Sequence, residues 1–83
     1  RAFSQGGKYD LAVEQLTTAK SEVQLMNDLK KEIIYALGDT FEKMGKAKEA
    51  VDEYKIIYMA DSGYRDVAKK INDFYERQKG ATA

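Results

Sequence analysis

The sequence predicts an all-α chain: antiparallel helix-turn-helix repeats stacked as a short α-solenoid and closed by a C-terminal capping helix. Three observations lead there. A ten-residue phrase is written twice, GKYDLAVEQL at residues 7–16 and GKAKEAVDEY at residues 45–54, and self-similarity at one fixed offset is the mark of stacked repeats. Apolar residues recur at three- and four-residue spacing in four segments, and none alternates apolar with polar over the length of a strand. Pro is absent, and the glycines (Gly6, Gly7, Gly38, Gly45, Gly63 and Gly80) fall mostly between those segments.

The first helix is predicted over residues 8–24, with Ala12, Val13, Leu16 and Ala19 on its apolar face. A stub before Gly6 ends a further helix. The second spans residues 28–44, capped by Asn27 or Asp28, and turns Ile34, Leu37, Phe41 and Met44 inward. The third, residues 46–60, carries Ala50, Val51, Tyr54, Ile57 and Tyr58. The fourth, residues 65–78, carries Val67, Ala68, Ile71, Phe74 and Tyr75, with Asp61 and Ser62 supplying oxygens near its start. Gly6 and Gly45 each separate two helical patterns, where a residue at positive φ lets one helix stop and the next begin at once, forcing the neighbours antiparallel. Met26, Met44 and Met59 read as gap fillers, and Tyr9, Tyr54, Tyr58 and Tyr75 as amphipathic core packing.

Composition closes several routes to function. The chain has 83 residues, enough for one small domain with a modest core. Its 14 basic and 14 acidic side chains leave no global field to draw nucleic acid or an anionic membrane. Lys30, Lys31, Lys69 and Lys70 sit among Asp28, Glu32, Asp66 and Asp73, so no basic stripe for phosphate is expected. With neither Cys nor His there is no thiolate nucleophile, no zinc-thiolate site and no imidazole base. No calcium-binding loop and no nucleophile-base constellation stands out among the remaining carboxylates, hydroxyls and lysines, so no cofactor, metal or catalytic residue is predicted. The longest apolar runs, such as IIYAL at residues 33–37, are too short to span a bilayer. Because the chain opens on Arg1 rather than Met, an excerpt or processed product is expected and the compartment is not legible.

Residues 34–54 place Ile34, Leu37, Gly38, Phe41, Ala50 and Tyr54 at the spacing of the tetratricopeptide repeat, which this stretch resembles. The resemblance implies an A helix at residues 31–44 and a B helix at residues 46–60. It makes residues 7–16 the B helix of a preceding repeat, whose A helix survives as the stub around Phe3. Ala68, Ile71, Asn72 and Tyr75 repeat the A-helix spacing, so the fourth helix resembles the cap that ends such arrays. The implied division is a partial repeat (1–27), a complete repeat (28–62), a capping helix (63–79) and a frayed tail (80–83). Ile34 stands where the family has Trp, Ser62 where it has Pro, and Asn72 where it has Gly. The offset is 38 residues rather than about 34, one helical turn more. Both helices beside the first connection are therefore expected to be longer, with Val23, Leu25, Met26 and Leu29 adding contacts. Small Gly38 and Ala50 are expected where paired helices cross, with Leu37, Phe41 and Tyr54 beside them. Ala50→Leu is expected to cost about 1–3 kcal/mol by overpacking and Lys48→Ala almost nothing; equal melting temperatures for the two would defeat the assignment.

The family's members recognise proteins, holding a peptide or partner helix in a groove lined by A helices. Carried onto this chain, that groove takes Glu32, Tyr35, Asp39, Glu42 and Lys43 from the second helix, with Asp66, Lys69, Lys70, Asp73, Glu76 and Arg77 from the fourth. Members that hold acidic chaperone tails use Lys, Arg and Asn clamps, whereas here Asp39 and Glu42 intervene. The implied partner is a basic or mixed-charge protein segment, with Tyr35 as an aromatic contact. Charges on a helix face are ordinarily solvated surface, so the set carries more weight than any member. A second reading is structural: the first helix lacks a partner on one side, and a second copy pairing or exchanging helices would cover it.

Overall fold

A computed structural model describes the backbone of residues 2–82 and the side chains of residues 7–80. Four helices are present: α1 (Ala2–Glu22), α2 (Asp28–Lys43), α3 (Ala47–Ala60) and α4 (Val67–Thr82), with no strand among the described residues. Each packs on its neighbours in sequence, giving a flat row with extents of 41 × 38 × 16 Å. Among the described residues no helix is long and apolar enough to cross a membrane.

The α2–α3 hairpin forms for reasons local to its sequence. The Asn27 side chain accepts a hydrogen bond from the Lys30 N–H at 2.9 Å, which fixes the start of α2. At the other end Gly45 stands at φ 80°. Its N–H bonds to the Glu42 carbonyl while the Lys46 N–H reaches the Phe41 carbonyl, the paired closure that a left-handed residue permits. α3 then begins two residues later, folded back on α2.

Between these helices and the start of α4 lies the core. Ile34, Leu37, Ala50, Val51, Tyr54, Ile57 and Val67 are buried. Gly38 is buried too, and a Cβ added there would lie 2.6 Å from Tyr54 Cε1. Gly38 is therefore a small residue at this crossing, with the Tyr54 ring filling the space beside it. Burying side chains of this size contributes roughly 1.5–3 kcal/mol each before chain entropy is set against it.

Elsewhere the structure departs from the expectation. Gly6 does not break the chain: α1 runs unbroken from Ala2, so no separate stub helix precedes it. The Phe3 side chain lies outside the described residues. A helix-interior glycine costs about 1 kcal/mol, which weakens a helix without forbidding it. Nor do α1 and α2 extend through residues 23–27. α1 ends at Glu22 and Asn27 caps α2, so the segment between must turn. Leu25 is 75 % exposed and Leu29 58 %, Met26 is exposed, and Val23 is half-buried, so the four do not form an added contact set. α4 starts at Val67 and continues through Gly80 to Thr82 rather than stopping at residue 78. Ala68, Tyr58 and Tyr75, read as core, are exposed, and Met59 is 87 % exposed rather than a gap filler.

Gly7 and Gly45 hold the same place in the repeated phrase, yet their surroundings predict opposite responses to alanine. Gly7 lies inside α1 with open space where a Cβ would be, so Gly7→Ala stabilises by about 0.5–1 kcal/mol. Gly45→Ala forces a Cβ into the left-handed region and costs about 1–2 kcal/mol. Thermal melts of the two variants should shift in opposite directions; a shared direction would contradict the Gly45 backbone.

Candidate functional site

α2 and α4 both pack on α3, and they meet each other through side chains alone. Near the N-terminal ends, Tyr35 of α2 donates its hydroxyl to Asp66 Oδ1 at 2.5 Å, and Arg65 Nη2 lies 3.8 Å from Glu32 Oε2. Lys31 Nζ pairs with Asp61 Oδ2 at 3.1 Å. Further along, Lys70 Nζ reaches Glu42 Oε2 at 3.1 Å. Beyond that pair the helices part over α3 and leave an open cavity of about 330 Å³. Ala47, Ala50 and Val51 line it from α3, and Glu42, Lys70, Asp73, Phe74 and Arg77 from the two flanking helices.

The connection before α4 explains the closed end. The Asp61 carboxylate accepts from the Gly63 N–H while also holding Lys31, so one side chain shapes the turn and ties it to α2. Arg65 has φ 42°, unusual for a residue with a Cβ. Its guanidinium carbon sits 5.2 Å from the Tyr35 ring centroid and 5.3 Å from that of Tyr64, a cation-aromatic contact with both. The Tyr35 and Tyr54 rings lie 5.5 Å apart. Tyr35, expected as an aromatic contact for the partner, is half-buried with ring and hydroxyl both engaged within the chain.

Of the residues assigned to the groove, Glu42, Lys70, Asp73 and Arg77 line the cavity together. Glu32, Tyr35 and Asp66 belong to the closed end. Asp39 and Lys43 pair with each other along α2 at 3.2 Å, outside the cavity lining. Lys69 bonds Asp73 at 2.9 Å but lines a separate cavity with Tyr58, Ala68 and Tyr75. Glu76 is exposed on α4. The acids Glu32, Asp39, Glu42, Asp66 and Asp73 each have a partner within the chain, whereas Arg77 makes no ion pair among the described residues. Tyr64, Arg65, Lys31 and Asp61 were not legible as site residues, because nothing in their spacing marks a loop that folds onto another helix.

The electrostatics follow from this geometry. Burial, and then the hydrogen bond to Asp66, pushes the Tyr35 phenol up to about 12. The same bond holds Asp66 below the usual carboxylate range. The Tyr54 hydroxyl is buried and makes no hydrogen bond of normal geometry; burial first, and the nearby Glu42 carboxylate second, raise its pKa. In the unfolded chain tyrosines ionise near pH 10, so between that value and about 12 the unfolded state sheds protons that folded Tyr35 keeps. Stability is therefore full below about pH 10 and falls as pH rises toward 12. Lys31, raised chiefly by its bond to Asp61, acts in the same direction. Urea midpoints should be lower near pH 11 than near pH 8; an unchanged midpoint would contradict the engaged tyrosines.

Comparison of the chain with protein-family models, curated proteins and solved structures finds no match to any of them.

Proposed function

We propose that the chain is a protein-interaction module of the tetratricopeptide type, in which the cavity between α2 and α4 receives a mixed-charge segment of another polypeptide. The observation that carries this reading is the cavity itself: an apolar floor from Ala47, Ala50 and Val51 between walls of both signs, Glu42 and Asp73 with Lys70 and Arg77. A few charged groups around an apolar floor suit a peptide, which offers apolar side chains at intervals and charges beside them. The internal ion pairs narrow the partner. Glu42 is neutralised by Lys70 and Asp73 by Lys69, so a purely basic segment gains less here than the count of acids implies. Among the described residues Arg77 is the wall charge with no ion pair to break.

A peptide array carrying acidic C termini, basic segments and mixed-charge segments tests this. Mixed-charge peptides should be retained most strongly, with amide shifts at Ala47, Val51, Phe74 and Arg77 in a labelled sample. Arg77→Glu should move the selection toward basic peptides. Retention of acidic C termini alone would overturn the partner chemistry, and shifts confined to other surfaces would overturn the groove.

A further inference from the structure

Two faces are half-made, one at each end of the helix row, and each is the counterpart of a face completed in the middle. α2 presents Ile34, Leu37 and Gly38 to α3, all buried. At the same spacing α4 carries Ala68, Ile71 and Asn72, yet Ala68 and Asn72 are exposed, Ile71 is half-buried and the following Tyr75 is 43 % exposed. With Tyr58 of α3 they line an open cavity of about 500 Å³. At the far end, Ala12 and Ala19 of α1 stand at the 38-residue offset from Ala50 and Ile57 of α3. The α3 pair is buried, whereas the α1 pair is only half-buried. Beside them Leu11 is 54 % exposed, on an open face shared with Glu14, Thr18 and Glu22. α4 lacks a covering helix of the α3 kind; α1 is such a helix, with one side uncovered.

The rims of the two faces carry opposite charge. Glu14 and Glu22 flank the α1 stripe and make no ion pair among the described residues. Lys55 and Lys69 flank the α4 face. The Lys55 ammonium lies 5.0 Å over the Tyr75 ring, and Lys69 is held by an exposed i,i+4 pair with Asp73, a contact of little strength.

We propose that a second copy of this chain seats the open side of its α1 on the α3–α4 face of the first, so that copies join head to tail. The two faces differ, so the contact is heterologous and propagates into rows or rings instead of closing as a pair. One helix stripe is small beside the roughly 1,200–2,000 Å² of a stable interface. Asn72, where α2 has Gly38, also holds the helices further apart. Association is therefore weak and concentration-dependent. The contact face touches the α2–α4 cavity only through the Lys69–Asp73 pair and does not rest on the peptide reading.

Sedimentation velocity at rising concentration and low salt tests it. The wild-type chain should pass beyond a dimer as concentration rises. The variant with Glu14→Lys and Glu22→Lys, and separately the one with Lys55→Glu and Lys69→Glu, should need at least about tenfold higher concentration to associate, through like-charge opposition. Both should keep the wild-type helical circular dichroism. Mixing the two variants should restore association, because each then offers the other a complementary face. A strictly monomeric wild type, a closed dimer sensitive to only one of the variants, or a mixture that stays monomeric would each overturn the proposal.

Discussion

Truncation of Tyr54 to alanine is expected to lower stability by about 3–5 kcal/mol, the range for removing a large buried ring. The ring is fully buried, lies beside Gly38 and Tyr35, and belongs to the cluster that includes Ile34, Ala50, Ile57 and Val67. Small domains have a total stability of about 5–15 kcal/mol, so this one loss brings an 83-residue chain close to unfolding at body temperature. Tyr54→Phe separates the ring from its hydroxyl. The hydroxyl is buried with the Glu42 carboxylate near it but no hydrogen bond of normal geometry, and a polar group so poorly satisfied costs about 1–3 kcal/mol to bury. Phenylalanine is therefore expected to be neutral or stabilising. Urea unfolding of both variants checks the pair of claims: a Phe variant as damaged as the Ala variant would show that the hydroxyl has a partner.

The α2–α3 hairpin was legible because its determinants are local. Asn27 accepts from an N–H three residues on, and Gly45 closes carbonyls of the turn just before it. Gly6 and Gly7 carry the same sequence signal without the same outcome. Glycine permits positive φ but does not impose it, and α1 simply continues through them. The α4 face misled for a related reason. Ala68, Ile71 and Tyr75 share the spacing of the α2 core face, but periodicity reports which side of a helix is apolar, not whether another helix covers it. The groove assignment divided along the same line. The family resemblance put Glu42, Lys70, Asp73 and Arg77 among the groove residues, and these four line one cavity, while the engagement of Tyr35 depended on Tyr64 and Arg65, whose loop conformation is set by contacts with α2. An arginine at φ 42° leaves no trace in composition or periodicity.

Gly38→Ala pits two opposed effects against each other at the helix crossing. Mid-helix alanine is favoured over glycine by about 0.8–1.0 kcal/mol, so propensity alone predicts stabilisation. Against it, the added Cβ would stand 2.6 Å from Tyr54 Cε1 and 2.9 Å from Cζ, and the ring cannot swing away because Tyr54 is wholly enclosed. Overpacking of this kind costs about 1–3 kcal/mol or more, and at contacts this short the steric term is expected to win. Net destabilisation is the predicted result, despite the better helix former. The cause is isolated by repeating the substitution in a Tyr54→Leu background, where the ring atoms that meet the Cβ are gone. There Gly38→Ala should become neutral or favourable, and the cycle should show coupling within the 0.5–3 kcal/mol range of residues in contact. Additive effects would mean that a Cβ at position 38 does not act through the tyrosine ring, removing the small-against-large packing that places α3 against α2.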